Sequence, residues 1–200
     1  MFRRWLFAFA SVHTTWQMNC KLYNALNEDF DWIGDPVKLK RRIQGSRCGL
    51  QNNRTRFIHE FTEWYWEHPD WYKKDDYESW VEYRDRVKTR VKGLGQAKSS
   101  FGIELIYPLN CEVLCTDVHV LRFYSTDTEA FNQGKISERE EREIEQHWVQ
   151  ACKVKGVSPA IARWVFWDRN QNFPDPSYWS CVFERKDYHD IFKKRTIMQW

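Results

Sequence analysis

Apolar positions recur along this chain at helical spacing, and stretches of strict alternation are few. Trp5 to Leu26 carries an apolar face that weakens at His13-Thr14-Thr15, where a break in the helix is expected. Val37 to Ile43 reads as a short basic helix. Arg54 to Glu67 returns to helical period through Phe57, Ile58, Phe61, Trp64 and Tyr65. Ser79 to Val91 and Gln96 to Leu105 follow as two further helices, separated by Val91-Lys92-Gly93-Leu94-Gly95. Asp117 is well placed as an N-cap, because Val118, Val120, Leu121 and Phe123 come after it. Ser137 and Glu140 form a capping-box pattern opening a charged helix to Ala151, and Ser158-Pro159 opens another, from Ala160 to Trp167. Turns are expected at 27–36, 45–53 and 69–76, and an irregular tail from Asn172 to about Tyr188. The fold class is all-α, with no internal repeat and no low-complexity tract.

Composition bounds the function classes. With 12 Trp among 200 residues and 17% aromatic content, the chain is globular, and the rings serve either a core or a stacking surface. The net charge of +3 does not by itself point to nucleic acid. Its distribution is more telling. The stretch 38–56 holds Lys38, Lys40, Arg41, Arg42, Arg47, Arg54 and Arg56 with no acidic residue, and the stretch 84–98 holds six basic residues against Asp85 alone. These are either solvated helix faces or one phosphate-facing surface. The six cysteines, at 20, 48, 111, 115, 152 and 181, form no CxxC pair and suit no zinc or iron–sulfur spacing. Reduced, buried thiols are expected, Cys111 and Cys115 among them, with no metal and no cofactor. The opening MFRRWLFAFA mimics a signal peptide, but its apolar run from Trp5 to Ala10 is shorter than an ordinary hydrophobic region of about 7–15 residues. No stretch is long enough to span a membrane, so an intracellular protein is expected.

Two features carry candidate chemistry. The first is helix, V-K-G-L-G, helix at 91–95. Glycines at 93 and 95 let the backbone approach another group closely, and the following helix aims its free N–H groups at that place, an arrangement that suits phosphate. Many helical hairpins use glycine only to turn. The second is Asp117-Val118-His119-Val120-Leu121-Arg122, where Asp117 is a plain cap or a functional carboxylate. Phe7 to Thr15, and Cys48-Gly49-Leu50-Gln51-Asn52-Asn53-Arg54-Thr55-Arg56-Phe57-Ile58, precede these in order.

Taken together, these four stretches resemble the helix-hairpin-helix DNA glycosylase superfamily, of the endonuclease III and 8-oxoguanine glycosylase type. That family's hairpin is of the form L-P-G-V-G or I-K-G-I-G, followed about twenty residues later by V-D-T-H or V-D-V-H. The resemblance covers roughly residues 5–125. It implies a two-lobed helical bundle, with a glycosylase-like core over 1–150 and a C-terminal extension over 151–200 packing on it. It further implies a monomer that binds double-stranded DNA, flips out a damaged or modified nucleotide and cleaves its glycosidic bond. Asp117 matches the family's catalytic carboxylate, which stabilises positive charge developing on the sugar. The backbone of Gly93, Leu94 and Gly95, with Lys92 beside it, would grip a phosphate. Leu50, Gln51 and Asn52 would wedge into the gap left by the flipped base, and His13 would probe the stack from the other side.

The match departs from the family in two places. Bifunctional members carry a nucleophilic lysine two residues after the second hairpin glycine; here that position is Ala97, and Lys98 comes one place later. Lys98 is then either the Schiff-base nucleophile of a lyase or a phosphate contact in a monofunctional enzyme. The iron–sulfur cysteines of endonuclease III relatives are absent. The cluster Trp164-Val165-Phe166-Trp167 reads as core, with a base-pocket floor as the alternative. Two other readings stay open: a non-catalytic helix-hairpin-helix DNA-binding protein, for example a viral one, and an RNA-binding helical protein that stacks bases on its aromatics. Which base is excised does not follow from the sequence.

Overall fold

In the computed structural model, residues 1–124 and 136–170 are described, and they form nine α-helices and one 3₁₀ turn with no strand among them. The helices are α1 (Phe2–Ala10), α2 (Trp16–Asn27), α3 (Pro36–Ser46), α4 (Gln51–Glu67), α5 (Trp80–Arg90), α6 (Gln96–Ile106), α7 (Val118–Tyr124), α8 (Glu138–Val154) and α9 (Pro159–Arg169), with the 3₁₀ turn at Pro69–Tyr72. The irregular tail expected from Asn172, Cys181 and most of the 151–200 extension lie outside the described residues.

Helix α1 is the hub. Trp5, Leu6, Phe7, Ala8 and Ala10 are fully buried, so the run that imitates a signal sequence is a core helix. It packs against α2, α4 and α6. Its approach to α6 is close because Gly102 has no side chain: a Cβ there would collide with the Trp5 ring. Around this hub Phe2, Phe61, Tyr65 and Tyr72 stack and tilt against one another at centroid separations of 4.9–5.6 Å. Among the described residues, most aromatic rings are buried in the core or packed against it.

Local signals explain the boundaries. Thr15 caps α2 after the break at His13, which takes a left-handed φ of 47°. Asp35 caps α3, with Pro36 at its first position. Reciprocal capping boxes start α5 at Ser79 and Glu82, and α8 at Ser137 and Glu140. Ser158 caps α9 and also donates to the carbonyl of Pro108, tying α9 to the loop after α6. Further in, Trp164 of α9 is fully buried and Val165 is buried beside it.

The two basic stretches are only partly a surface. Arg54 is buried and donates to the carbonyls of Gly49, Phe9, Ala10 and Val12. Arg84 is buried against Glu145, Arg86 is held by Glu78, and Arg42 by Asp29 and Asp31. These four side chains are committed to carbonyls and carboxylates within the chain, which removes them from any common phosphate-facing surface. Among the described residues, no helix is long and apolar enough to cross a membrane.

Candidate functional site

The hairpin forms as a turn between α5 and α6. Val91 and Leu94 are buried and anchor it, while Lys92 and Gly95 are exposed. Leu94 can thus offer an external partner its backbone but not its side chain. Gly93 has φ +90°, and a Cβ there would meet Phe57 Cδ2 of α4 at 2.5 Å, so both conformation and space demand glycine. Gly95 is the N-cap of α6 and supplies no side-chain cap, which leaves the first amides of α6 open at the exposed end of the turn.

A second turn, between α3 and α4, lies near it along α4. Arg47, Gly49 and Leu50 all take positive φ (58°, 71° and 51°), an arrangement of left-handed residues that costs energy at the two that are not glycine. Leu50 is 47% exposed, and Gln51 and Asn52 are exposed after it at the start of α4. The Arg54 guanidinium bridges this turn to the C-terminal end of α1 by its bonds to Gly49 and Val12. His13 projects, exposed, from the residue after Val12. One buried arginine therefore sets the Leu50 turn beside the His13 turn. Position 54 belongs to a basic stretch that the sequence left open between a solvated face and a phosphate-facing surface; four carbonyl partners give it a positioning task instead.

Between the end of α1, the start of α6, the start of α7 and the inner face of α9 lies a cavity of about 450 Å³. His13, Trp16, Lys98, Phe101, Asp117, Arg163 and Trp167 all line it. It brings together the two residues singled out for chemistry, Lys98 and Asp117, with one of the proposed DNA probes, His13. The hairpin and the Leu50 turn are not part of its wall.

Asp117 caps α7. Its Oδ1 accepts from the amides of His119 (2.9 Å) and Val120 (3.0 Å). Its Oδ2 accepts from Arg163 Nη1 at 2.8 Å. The side chain is 14% exposed, toward the cavity. Arg163 is itself buried. It reaches Glu104 of α6 through Nε (2.7 Å) and Nη2 (2.6 Å), and the Glu104 Oε1 accepts from the Cys115 amide at 2.7 Å. Burial works against the Arg163 charge, but Glu104 and Asp117 outweigh it and hold the guanidinium above its ordinary pKa. For Glu104 burial dominates and pushes the carboxyl upward, against the pull of Arg163. Both Glu104 oxygens accept from donors, Oε1 from the Cys115 amide and Oε2 from Arg163 Nε and Trp164 Nε1, the pattern of an ionised carboxylate.

Two cations approach the Phe101 ring, Lys98 Nζ at 5.4 Å and Arg163 Cζ at 5.2 Å from its centre. His119, half-buried at the start of α7, has its pKa lowered by desolvation, and its ring sits edge-on to Trp167 at 6.3 Å. Burial pushes the Cys115 thiol up to about 12 and the Cys111 thiol well above its ordinary value, so both are inert neighbours. Among the described residues no cluster of His, Cys, Asp and Glu could hold a metal ion.

Arg163, Glu104 and Arg54 were not singled out in the sequence for these roles. The signal for Glu104 and Arg163 is a charged residue inside an apolar helical run, Gly102-Ile103-Glu104-Leu105-Ile106 and Ala160-Ile161-Ala162-Arg163-Trp164, whereas Arg54 sits in the polar run Gln51-Asn52-Asn53-Arg54-Thr55-Arg56 and carries no such signal. No protein-family model, curated protein or solved structure matches this chain.

Proposed function

We propose that this protein is a DNA N-glycosylase of base excision repair, built as a two-lobed helix-hairpin-helix bundle and working as an intracellular monomer on double-stranded DNA. The observation that carries the reading is the shared cavity. Lys98, from the helix after the glycine hairpin, and Asp117, from the D-V-H segment, line one pocket of a size that accepts a nucleobase with its sugar. Trp16, Phe101 and Trp167 supply ring surfaces there.

On this reading the hairpin backbone, with Lys92, holds a phosphate while Leu50, Gln51, Asn52 and His13 occupy the space vacated in the stack. As the glycosidic bond breaks, the base departs with the bonding electron pair and the sugar becomes cationic. On this reading the Asp117 carboxylate, which faces the cavity, stabilises that charge. In a bifunctional enzyme Lys98 then adds to the sugar's anomeric carbon, and loss of a proton from nitrogen with ring opening leaves a Schiff base.

The test is borohydride trapping on duplexes carrying an abasic site, 8-oxoguanine, an oxidised pyrimidine or a mismatched uracil. A covalent adduct lost in Lys98→Ala establishes the lyase. Base release without an adduct establishes a monofunctional glycosylase with Lys98 as a contact. Tight duplex binding with neither product favours a non-catalytic helix-hairpin-helix binding protein instead.

A further inference from the structure

The Asp117 site is deeper than the residue that faces the cavity. Behind Asp117 stands Arg163, and behind Arg163 stands Glu104, which is fully buried and lies too far inside to touch anything bound in the pocket. Two carboxylates thus share one guanidinium. An N-cap needs only the two amide bonds that Asp117 Oδ1 already accepts, so neither Arg163 nor Glu104 is required to start α7. A lone buried Arg163 against Asp117 would form a neutral pair and cancel the carboxylate's field in the cavity. Glu104 changes that balance: it engages Nε and Nη2, leaves Nη1 to Asp117, and brings the triad to one net negative charge. The other titratable groups around the pocket include Lys98 on α6, His13 after α1, His119 on α7 and Cys115 before α7, whose thiol burial keeps protonated.

We propose that Arg163 and Glu104 are positioning residues for bond cleavage, Arg163 fixing the Asp117 carboxylate toward the cavity and Glu104 offsetting the guanidinium so that the carboxylate keeps its negative field there. This rests on the glycosylase reading for its consequence, but the charge arrangement is testable apart from it. Such a site favours a cationic sugar over a neutral one of the same shape, which is the discrimination a transition state of this kind demands.

The test compares two duplexes, one carrying a tetrahydrofuran abasic analogue and the other a pyrrolidine analogue that is protonated at neutral pH. The wild-type protein is expected to prefer the pyrrolidine duplex. Glu104→Gln should lower that preference by about tenfold while leaving the tetrahydrofuran affinity within about twofold. Arg163→Lys preserves the charge count and should retain the preference. An unchanged preference in Glu104→Gln, or its loss in Arg163→Lys, overturns the relay. Should Glu104→Gln not fold, the lysine variant decides alone. If neither duplex binds the wild-type protein, the DNA reading fails by itself, and thermal unfolding then reads the relay. Asp117→Asn should lower Tm more in a Glu104→Gln background than in wild type, because Arg163 then loses both of its carboxylate partners among the described residues. Equal shifts in the two backgrounds overturn the relay.

Discussion

Two buried arginines in this molecule hold superficially equal positions, and their surroundings differ in one respect. Arg84 of α5 meets Glu145 of α8 through Nη1 and Asp85 through Nε, and Glu145 also accepts from the Leu114 amide. Arg163 of α9 meets Glu104 and Asp117. The side chains of Arg84 and Glu145 are 0% and 4% exposed, so that pair is closed off, while Asp85, 34% exposed, is held in turn by Arg142 at 3.3 Å. In the second group the Asp117 carboxylate opens on a cavity lined by a lysine, a histidine and two tryptophans. Burying an ion pair seldom adds stability over an apolar pair of the same volume, because desolvation offsets the attraction. The closed pair needs no more than a structural explanation, joining α5 to α8. A pair that leaves one carboxylate facing an open cavity is better explained by what that carboxylate does.

Breaking the closed pair should give the largest effect on stability and none on the site. Glu145→Gln is expected to cost about 3–5 kcal/mol, since it removes the buried carboxylate at Arg84 Nη1 and leaves the guanidinium to Asp85 at Nε. Denaturant unfolding measures this, and the folded fraction should bind abasic duplex with wild-type affinity. A loss of affinity without loss of stability would erase the distinction between the two arginines.

A third buried arginine sharpens it. Arg54 meets carbonyls rather than carboxylates, and it ties the Leu50 turn to the His13 turn. Arg54→Met should cost about 3 kcal/mol, and it should also weaken duplex binding, because the two turns lose their common anchor. If binding survives unchanged in the folded variant, these turns are not the DNA face.

Gly93→Ala comes next, at about 1–3 kcal/mol. The new Cβ requires a positive φ and meets Phe57. Loss of affinity beyond the loss of stability would show that the hairpin touches the ligand. Smallest is Lys92→Ala, an exposed side chain at the same turn. It should leave the unfolding free energy within about half a kcal/mol of wild type and reduce the salt slope of duplex binding by about one. An unchanged slope would remove Lys92 from the phosphate surface.

Much of the scaffold was legible because its signals are local. The break at His13, the capping box at Ser137 and Glu140, the proline start at Pro159 and the cap at Asp117 each depend on residues a few positions apart. The chemistry behind Asp117 was not legible in the same way. Arg163 finds Asp117 and Glu104 only after α9 folds back onto α6 and α7, and nothing in the helical period of 159–169 specifies what a single arginine there will face. Charge runs misled for the same reason. Arg54 and Arg84 sit in basic stretches that suggested solvent or phosphate, yet both are interior, because their partners come from other elements. Trp167 shows the opposite case: it belongs to an aromatic cluster that reads as core, and it lines the cavity beside Asp117 while its neighbour Trp164 is buried.

The most direct test of the central claim is release of free base from duplexes carrying damaged or mismatched bases, measured under single-turnover conditions for the wild-type protein and for Asp117→Asn. Asparagine keeps the cap on α7 and removes the charge. The account predicts release by the wild type and a loss of about a hundredfold or more in the variant, with affinity for the tetrahydrofuran duplex retained. Equal release by both proteins, or no release from any duplex by a wild-type protein that binds abasic DNA tightly, would contradict it.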